Sequence, residues 1–274
     1  MTLARFLILY FAVILVSCKK ELIDKINFKK AALQYDLVIE GGVNSFSKEQ
    51  FIRLSKPSYN VSDNVAGISN AEVYINSVKL DETSTPGIYS VILLENKNYG
   101  FPYRLKVIYN NNTYFAEDTL KKVTPIVFSN LNIITQIQND NLVLSVPKHI
   151  FSSVEPGKQF YQFKGESDWD PSKLAVSQTY AYTHIFAPPN GLYPLLEQRT
   201  NVTLLPADSV KVYKFSVSNA YQRYLFNLFQ ETDWKNIFSG NPGLIKGNIS
   251  GNALGYFYCT DVVSKKILAR DLEK

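Results

Sequence analysis

The sequence predicts a mainly β protein with two β-rich parts and one amphipathic helix. Three observations carry this. The 274-residue chain holds 18 Tyr and 17 Phe but a single Met, and aromatic enrichment with few strong helix formers favours strands. From Asp36 onward, short apolar runs are separated by Gly, Asn, Pro and Ser, the punctuation of an all-β chain. Only the segment after Ser218 places its apolar residues at helical spacing.

The N-terminus reads differently from the rest. Arg5 precedes an unbroken apolar run of eleven residues, Phe6 to Val16. A spanning helix needs about 20 such residues, so the run fits the core of a secretory signal peptide, residues 1–17. The following Leu15-Val16-Ser17-Cys18 resembles the bacterial lipobox, in which cleavage precedes the cysteine and its thiol is lipidated. Cys18 is therefore the expected lipidation site. Each buried CH₂ of an acyl chain such as palmitate contributes about 0.8 kcal/mol, and more than one chain anchors stably. Residues 18–34, with Lys19, Lys20, Lys25, Lys29 and Lys30, read as a solvated tether.

The mature chain follows strand by strand. Leu37-Val38-Ile39 ends at Gly41-Gly42, and Phe51–Leu54 ends at Pro57. Ala71–Ile75 alternates, and Ile88–Leu93 follows the Pro86-Gly87 turn pair. Tyr103, Leu105, Val107 and Tyr109 share one face of a period-two strand. Asn110-Asn111-Asn112 makes a turn, since Asn tolerates left-handed backbone, and Thr113–Ala116 returns. This spacing suits an immunoglobulin-like or transthyretin-like β-sandwich over residues 35–123. Thr124-Pro125 marks the expected boundary, with a second β-rich domain over 124–274. Its strand candidates are Asn141–Val146, Gln159–Lys164, Ser177–His184, Asn201–Leu205, Val210–Val217 and Leu254–Val263. Ser218 is placed to cap a helix near 219–231, whose Tyr221, Tyr224, Leu225, Leu228 and Phe229 trace one stripe.

Several of these segments together carry a resemblance. They are the lipobox, the Leu37–Gly42 strand, Ala71–Ile75, Gly87-Ile88-Tyr89, Tyr103–Val107 and Tyr114-Phe115-Ala116. Ile237-Phe238, Ile245–Ile249 and Leu254-Gly255-Tyr256-Phe257 follow near the end. The chain resembles the family of Bacteroidota lipoproteins catalogued as domain of unknown function 4249. The region from Phe238 to Pro242 departs from the usual pattern, where a richer proline cluster is expected. The resemblance brings no catalytic residues with it. It implies an accessory lipoprotein found in the company of TonB-dependent outer-membrane transporters, and Cys18-Lys19-Lys20-Glu21 is weakly similar to the surface-export signals of such lipoproteins.

Composition excludes several classes. Two cysteines cannot build a disulfide scaffold or a thiolate zinc cluster. Two histidines, His149 and His184, exclude a multi-histidine metal site. A net charge of +5 whose only basic bunching is the N-terminal run of lysines is no nucleic-acid footprint. Phosphate-loop, dinucleotide and nucleophile-elbow motifs are missing from the sequence, so no catalytic residue, metal or cofactor is expected. Asp168 and Asp170 flank Trp169. Carboxylates suit Ca²⁺, but Pro171 stands where a calcium loop would continue, so a turn packed on Trp169 is the expectation. Cys259 reads as a buried, inert thiol.

Trp169, Tyr180, Tyr182, His184 and Tyr193 are the candidate ligand-binding residues, an aromatic platform around the Pro188-Pro189-Asn190-Gly191 break. Against that stands plain packing, because Tyr180, Tyr182 and His184 are spaced to line one strand face. The expected protein is an exported, non-enzymatic, lipid-anchored component of the outer membrane, on its surface or periplasmic face. Its expected task is binding or assembly beside a TonB-dependent transporter. A carboxylate-based hydrolase of surface polymers and a structural surface protein or adhesin are the alternatives.

Overall fold

The computed structural model describes residues 35–58, 65–152, 155–163, 169–171, 181–187, 198–232 and 245–272. The chain divides into two units, Met1–Gln34 and Tyr35–Lys274. The expected signal peptide, Cys18 and the tether fall in the first unit and lie outside the described residues. Among the described residues, no helix is long and apolar enough to cross a membrane.

The second unit is mainly β. Its first seven strands are β1 (Leu37–Asn44), β2 (Glu49–Ser55), β3 (Glu72–Ile75), β4 (Val78–Glu82), β5 (Ile88–Ile92), β6 (Pro102–Tyr109) and β7 (Asn112–Thr119). Then come β8 (Ile134–Gln138), β9 (Asn141–Pro147), β10 (His149–Phe151), β11 (Gly157–Phe163), β12 (Ala181–Phe186), β13 (Arg199–Leu204) and β14 (Ser209–Ser216). Helix α1 (Asn219–Thr232), β15 (Ala253–Thr260) and β16 (Val262–Leu268) complete it. Tight hairpins join β3 to β4, β6 to β7 and β8 to β9. Their central pairs, Asn76-Ser77, Asn110-Asn111 and Asn139-Asp140, all hold positive φ, as two-residue turns matched to strand twist require.

Eight strands form one sheet in the order β15-β1-β2-β5-β4-β3-β6-β7. It buries Ile39, Ile52, Val73, Val107 and Phe257 in a common core. The sheet curls until its two end strands meet. The Cys259 N–H donates to Asp118 Oδ2 at 2.8 Å, and the Asn248 amide donates to the carbonyls of Glu117 and Phe257 at 2.9 and 2.8 Å. The expected sandwich-like character is present as this nearly closed sheet, which includes a strand from the far end of the chain. Residues 253–260 run parallel to β1, from Leu37↔Ala253 to Asn44↔Thr260. Gly255 makes that pairing possible: its φ is +103°, and a Cβ there would lie 1.9 Å from the Ile39 carbonyl oxygen.

The remaining strands make a five-stranded sheet, β10-β12-β11-β14-β16, and a three-stranded sheet, β13-β9-β8. Tyr161, Val210, Val212 and Ile267 from the larger sheet pack with Leu142, Leu144 and Leu204 from the smaller. The opposite side of the larger sheet presents Phe160, Tyr213 and Phe215 to α1, β15 and Trp169.

One expectation changes here. The strand expected over Leu254–Val263 is two strands in different sheets, broken at Asp261. Asp261 is buried and ties three segments together. Its carboxylate accepts from the Ser45 hydroxyl, from the Tyr99 hydroxyl at 3.1 Å and from the Val123 N–H at 2.9 Å. Its own N–H donates to Ser216 Oγ at 2.8 Å. A carboxylate at that point redirects the chain because its acceptors are satisfied only at the crossing. As a result, a boundary at residue 124 does not separate the sheets: β15 completes the first and β16, one residue later, completes the second.

The helix follows its sequence signals. Ser218 Oγ accepts the Tyr221 N–H at 3.0 Å, a side-chain N-cap. Tyr221 and Leu225 are buried with Phe186, Val217 and Tyr256, so the stripe spans the junction between the eight-stranded and five-stranded sheets.

Candidate functional site

Period-two alternation builds the site. In β15, Phe257 and Cys259 point into the eight-stranded core, which leaves Tyr256 and Tyr258 on the outer face. In β11, Lys158 and Phe160 share a face. The ladder sets Lys158 opposite His184 on one side and Phe215 on the other. Helix α1 covers the space between, with Tyr221 and Tyr224 downward. The result is a cavity of about 620 Å³, within the range of small-molecule sites.

Lys158 is its central charged group. Its ammonium lies 5.3 Å from the ring centres of Phe215 and Tyr221, 5.4 Å from Tyr258 and 5.9 Å from Phe160. Four electron-rich faces partly replace the water it loses. Burial pushes its pKa down to about 8, because desolvation disfavours the charged form. It stays mostly protonated at neutral pH.

His184 stands beside it. Burial, then the charges of Lys158, His149 and Lys148, hold its imidazole well below the ordinary histidine range, so it is neutral at pH 7. Among the described residues its buried Nδ1 has no hydrogen-bond partner. Its ring packs 5.2 Å from Tyr182 and 4.7 Å from Phe229. The parallel β10–β12 ladder also brings His149 alongside, with ring centres 5.8 Å apart.

Of the sequence candidates, Trp169, Tyr182 and His184 line this cavity together. Tyr180 and Tyr193 lie outside the described residues. Trp169 packs edge-on to Phe215 at 5.0 Å and near Phe46 at 5.4 Å, and its backbone N–H donates to the Tyr213 hydroxyl at 3.2 Å. Asp168 lies outside the described residues. Among the described residues, no group of three or more His, Cys, Asp or Glu side chains could hold a metal ion. Cys259 is fully buried, and burial raises its thiol pKa well above the ordinary value.

Sequence reasoning missed Lys158, Phe160, Tyr221 and Tyr258 as site residues. The signal for Lys158 was present: a lysine two positions before Phe160 in an apolar strand shares that residue's face. The helix stripe was legible only as packing, because what lies beneath it comes from three other segments.

A family model described as Domain of unknown function (DUF4249) matches residues 24–266. No curated protein and no solved structure matches the chain.

Proposed function

The chain belongs to the DUF4249 family, and from that premise we propose that it is an exported, lipid-anchored binding protein of the outer membrane. On this reading it holds a small organic ligand in its aromatic cavity, in the company of a TonB-dependent transporter. The observation that carries the binding role is the cavity of about 620 Å³, walled by rings from β11, β14, β15 and α1 around one lysine. Concave, mostly apolar sites with a few convergent polar groups are where proteins take small ligands. Glycoside hydrolysis needs two carboxyl groups across a cleft. Among the described lining residues Glu40 is the acidic one, so binding is preferred to hydrolysis.

The anchoring part rests on the Phe6–Val16 run and the Leu15-Val16-Ser17-Cys18 sequence. Its test is Cys18→Ser in the full-length chain, expressed in a bacterium with lipoprotein processing. The expected result is loss of the protein from the detergent-extracted membrane fraction and its appearance in the soluble fraction. Unchanged membrane partitioning of the serine variant would overturn the anchor.

A further inference from the structure

Among the described residues, no acid answers Lys158. Burial lowers its pKa, and none of the ion pairs among the described residues involves it. Among the described lining residues, Glu40 is the acidic side chain; it is 53% exposed and lies 3.9 Å from the Arg53 guanidinium. The cavity thus holds an ammonium on its inner wall and an ion-paired carboxylate on its solvent side.

We propose that the cavity binds an organic anion with a flat, apolar body, its acid group against the Lys158 ammonium and its body between the aromatic walls. This rests on the binding reading above and names the ligand class. A buried ammonium with no carboxylate beside it among the described residues is costly to the fold, and the four rings around it offset that only in part. An incoming acid group completes the ion pair in a medium where charges attract more strongly than in water. His184 supplies a second polar contact, an Nδ1–H donor in that tautomer of the neutral ring: it neighbours Lys158 in register, and among the described residues its Nδ1 has no partner. At the other end, the Glu40 carboxylate repels an acid group, so the ligand enters body outward and head inward. Rings of Trp169, Tyr182 and Tyr224 line the rest and stack on a flat body.

The charge balance also sets a pH dependence. Among the described residues, the titratable groups lining the cavity with Lys158 are Tyr182 and His184 from β12, Tyr221 and Tyr224 from α1, Tyr256 and Tyr258 from β15, and Glu40 from β1. Burial lowers His184 and raises Tyr221, Tyr224, Tyr256 and Tyr258, the last to about 12. Lys158, near 8, therefore loses its charge between pH 7 and 10.

The experiment uses two fluorescent probes with one ring system, anionic 8-anilinonaphthalene-1-sulfonate and uncharged N-phenyl-1-naphthylamine, titrated into the mature chain. The expected result is at least tenfold tighter binding of the sulfonate at pH 7, weakening toward pH 10. Lys158→Met should abolish that preference and keep the uncharged probe. Lys158→Arg should keep it and make it flat from pH 7 to 10. Each variant's thermal melt is recorded, so that binding to a misfolded chain is recognised. Equal binding of both probes by the wild-type chain overturns the anion inference and leaves the binding cavity standing. Binding of neither probe overturns both. A sulfonate preference that survives Lys158→Met in a chain that melts like wild type overturns the assignment to this cavity.

Discussion

Asp118 shows how a single buried group ties stability to pH. It is buried in β7, where its carboxylate accepts the Cys259 N–H and the Ser218 hydroxyl. Burial outweighs these bonds and raises its pKa above the ordinary aspartate value. The sign follows from linkage: a carboxyl whose folded pKa is raised holds its proton more tightly in the folded state. Its favourable contribution is complete below the unfolded pKa and is lost as pH rises through the folded one. At neutral pH the ionised group costs the fold stability. Asp118→Asn removes the ionisation, and any offset from the amide itself does not depend on pH. The melting temperature of the variant minus that of wild type should therefore be more positive at pH 7 than at pH 4. An equal difference at both values would mean that Asp118 is not shifted.

At the scale of the element, the β1–β15 pairing is the vulnerable join. A parallel strand from the far end of the chain lies so close to β1 that Gly255 has no room for a methyl group, and its φ of +103° is one that L side chains rarely adopt. Gly100 makes the control: its φ is +80°, but nothing lies within 4 Å of a Cβ placed there. Gly100→Ala should cost only the backbone penalty, roughly 1 kcal/mol. Gly255→Ala adds displacement of the Ile39 carbonyl and should exceed about 3 kcal/mol. Urea unfolding of the two variants checks this, and comparable losses would show that β15 is free to move away from β1.

The whole second unit depends on that same return. Residues 35–123 contain seven of the eight strands in the first sheet but not β15. Without β15, β1 becomes an open edge, Asp118 loses the Cys259 N–H, and Val123 loses the Asp261 carboxylate. Exposed edges and orphaned buried donors are both costly. A fragment of residues 35–123 should therefore show no cooperative thermal transition, whereas residues 35–274 should melt in one. Circular dichroism melts of both check it; a cooperative melt of the fragment would show an independent N-terminal domain.

Much of the secondary structure was legible because its causes are local. Alternation marked β6, the paired asparagines marked the turn at 110–111, and Ser218 with its stripe marked α1. Strands such as β4, exposed at Val78 and Lys79, and β8, largely exposed, carry little alternation and were missed. The Asp261 break was hidden inside an apolar run, since an aspartate in a strand gives no sign of which partners will reach it. The site was legible in part: Trp169, Tyr182 and His184 were chosen for their aromatic character, and they do line one cavity.

The sequence by itself determined a mainly β chain, a capped helix and membership of its family, because period, turn chemistry and capping act over a few residues. Only the tertiary structure decided that β15 crosses back to β1, that Lys158 sits among four rings, and that His149 lies beside His184. Those are pairings between segments tens to hundreds of residues apart, and they follow from register and packing rather than from any local pattern.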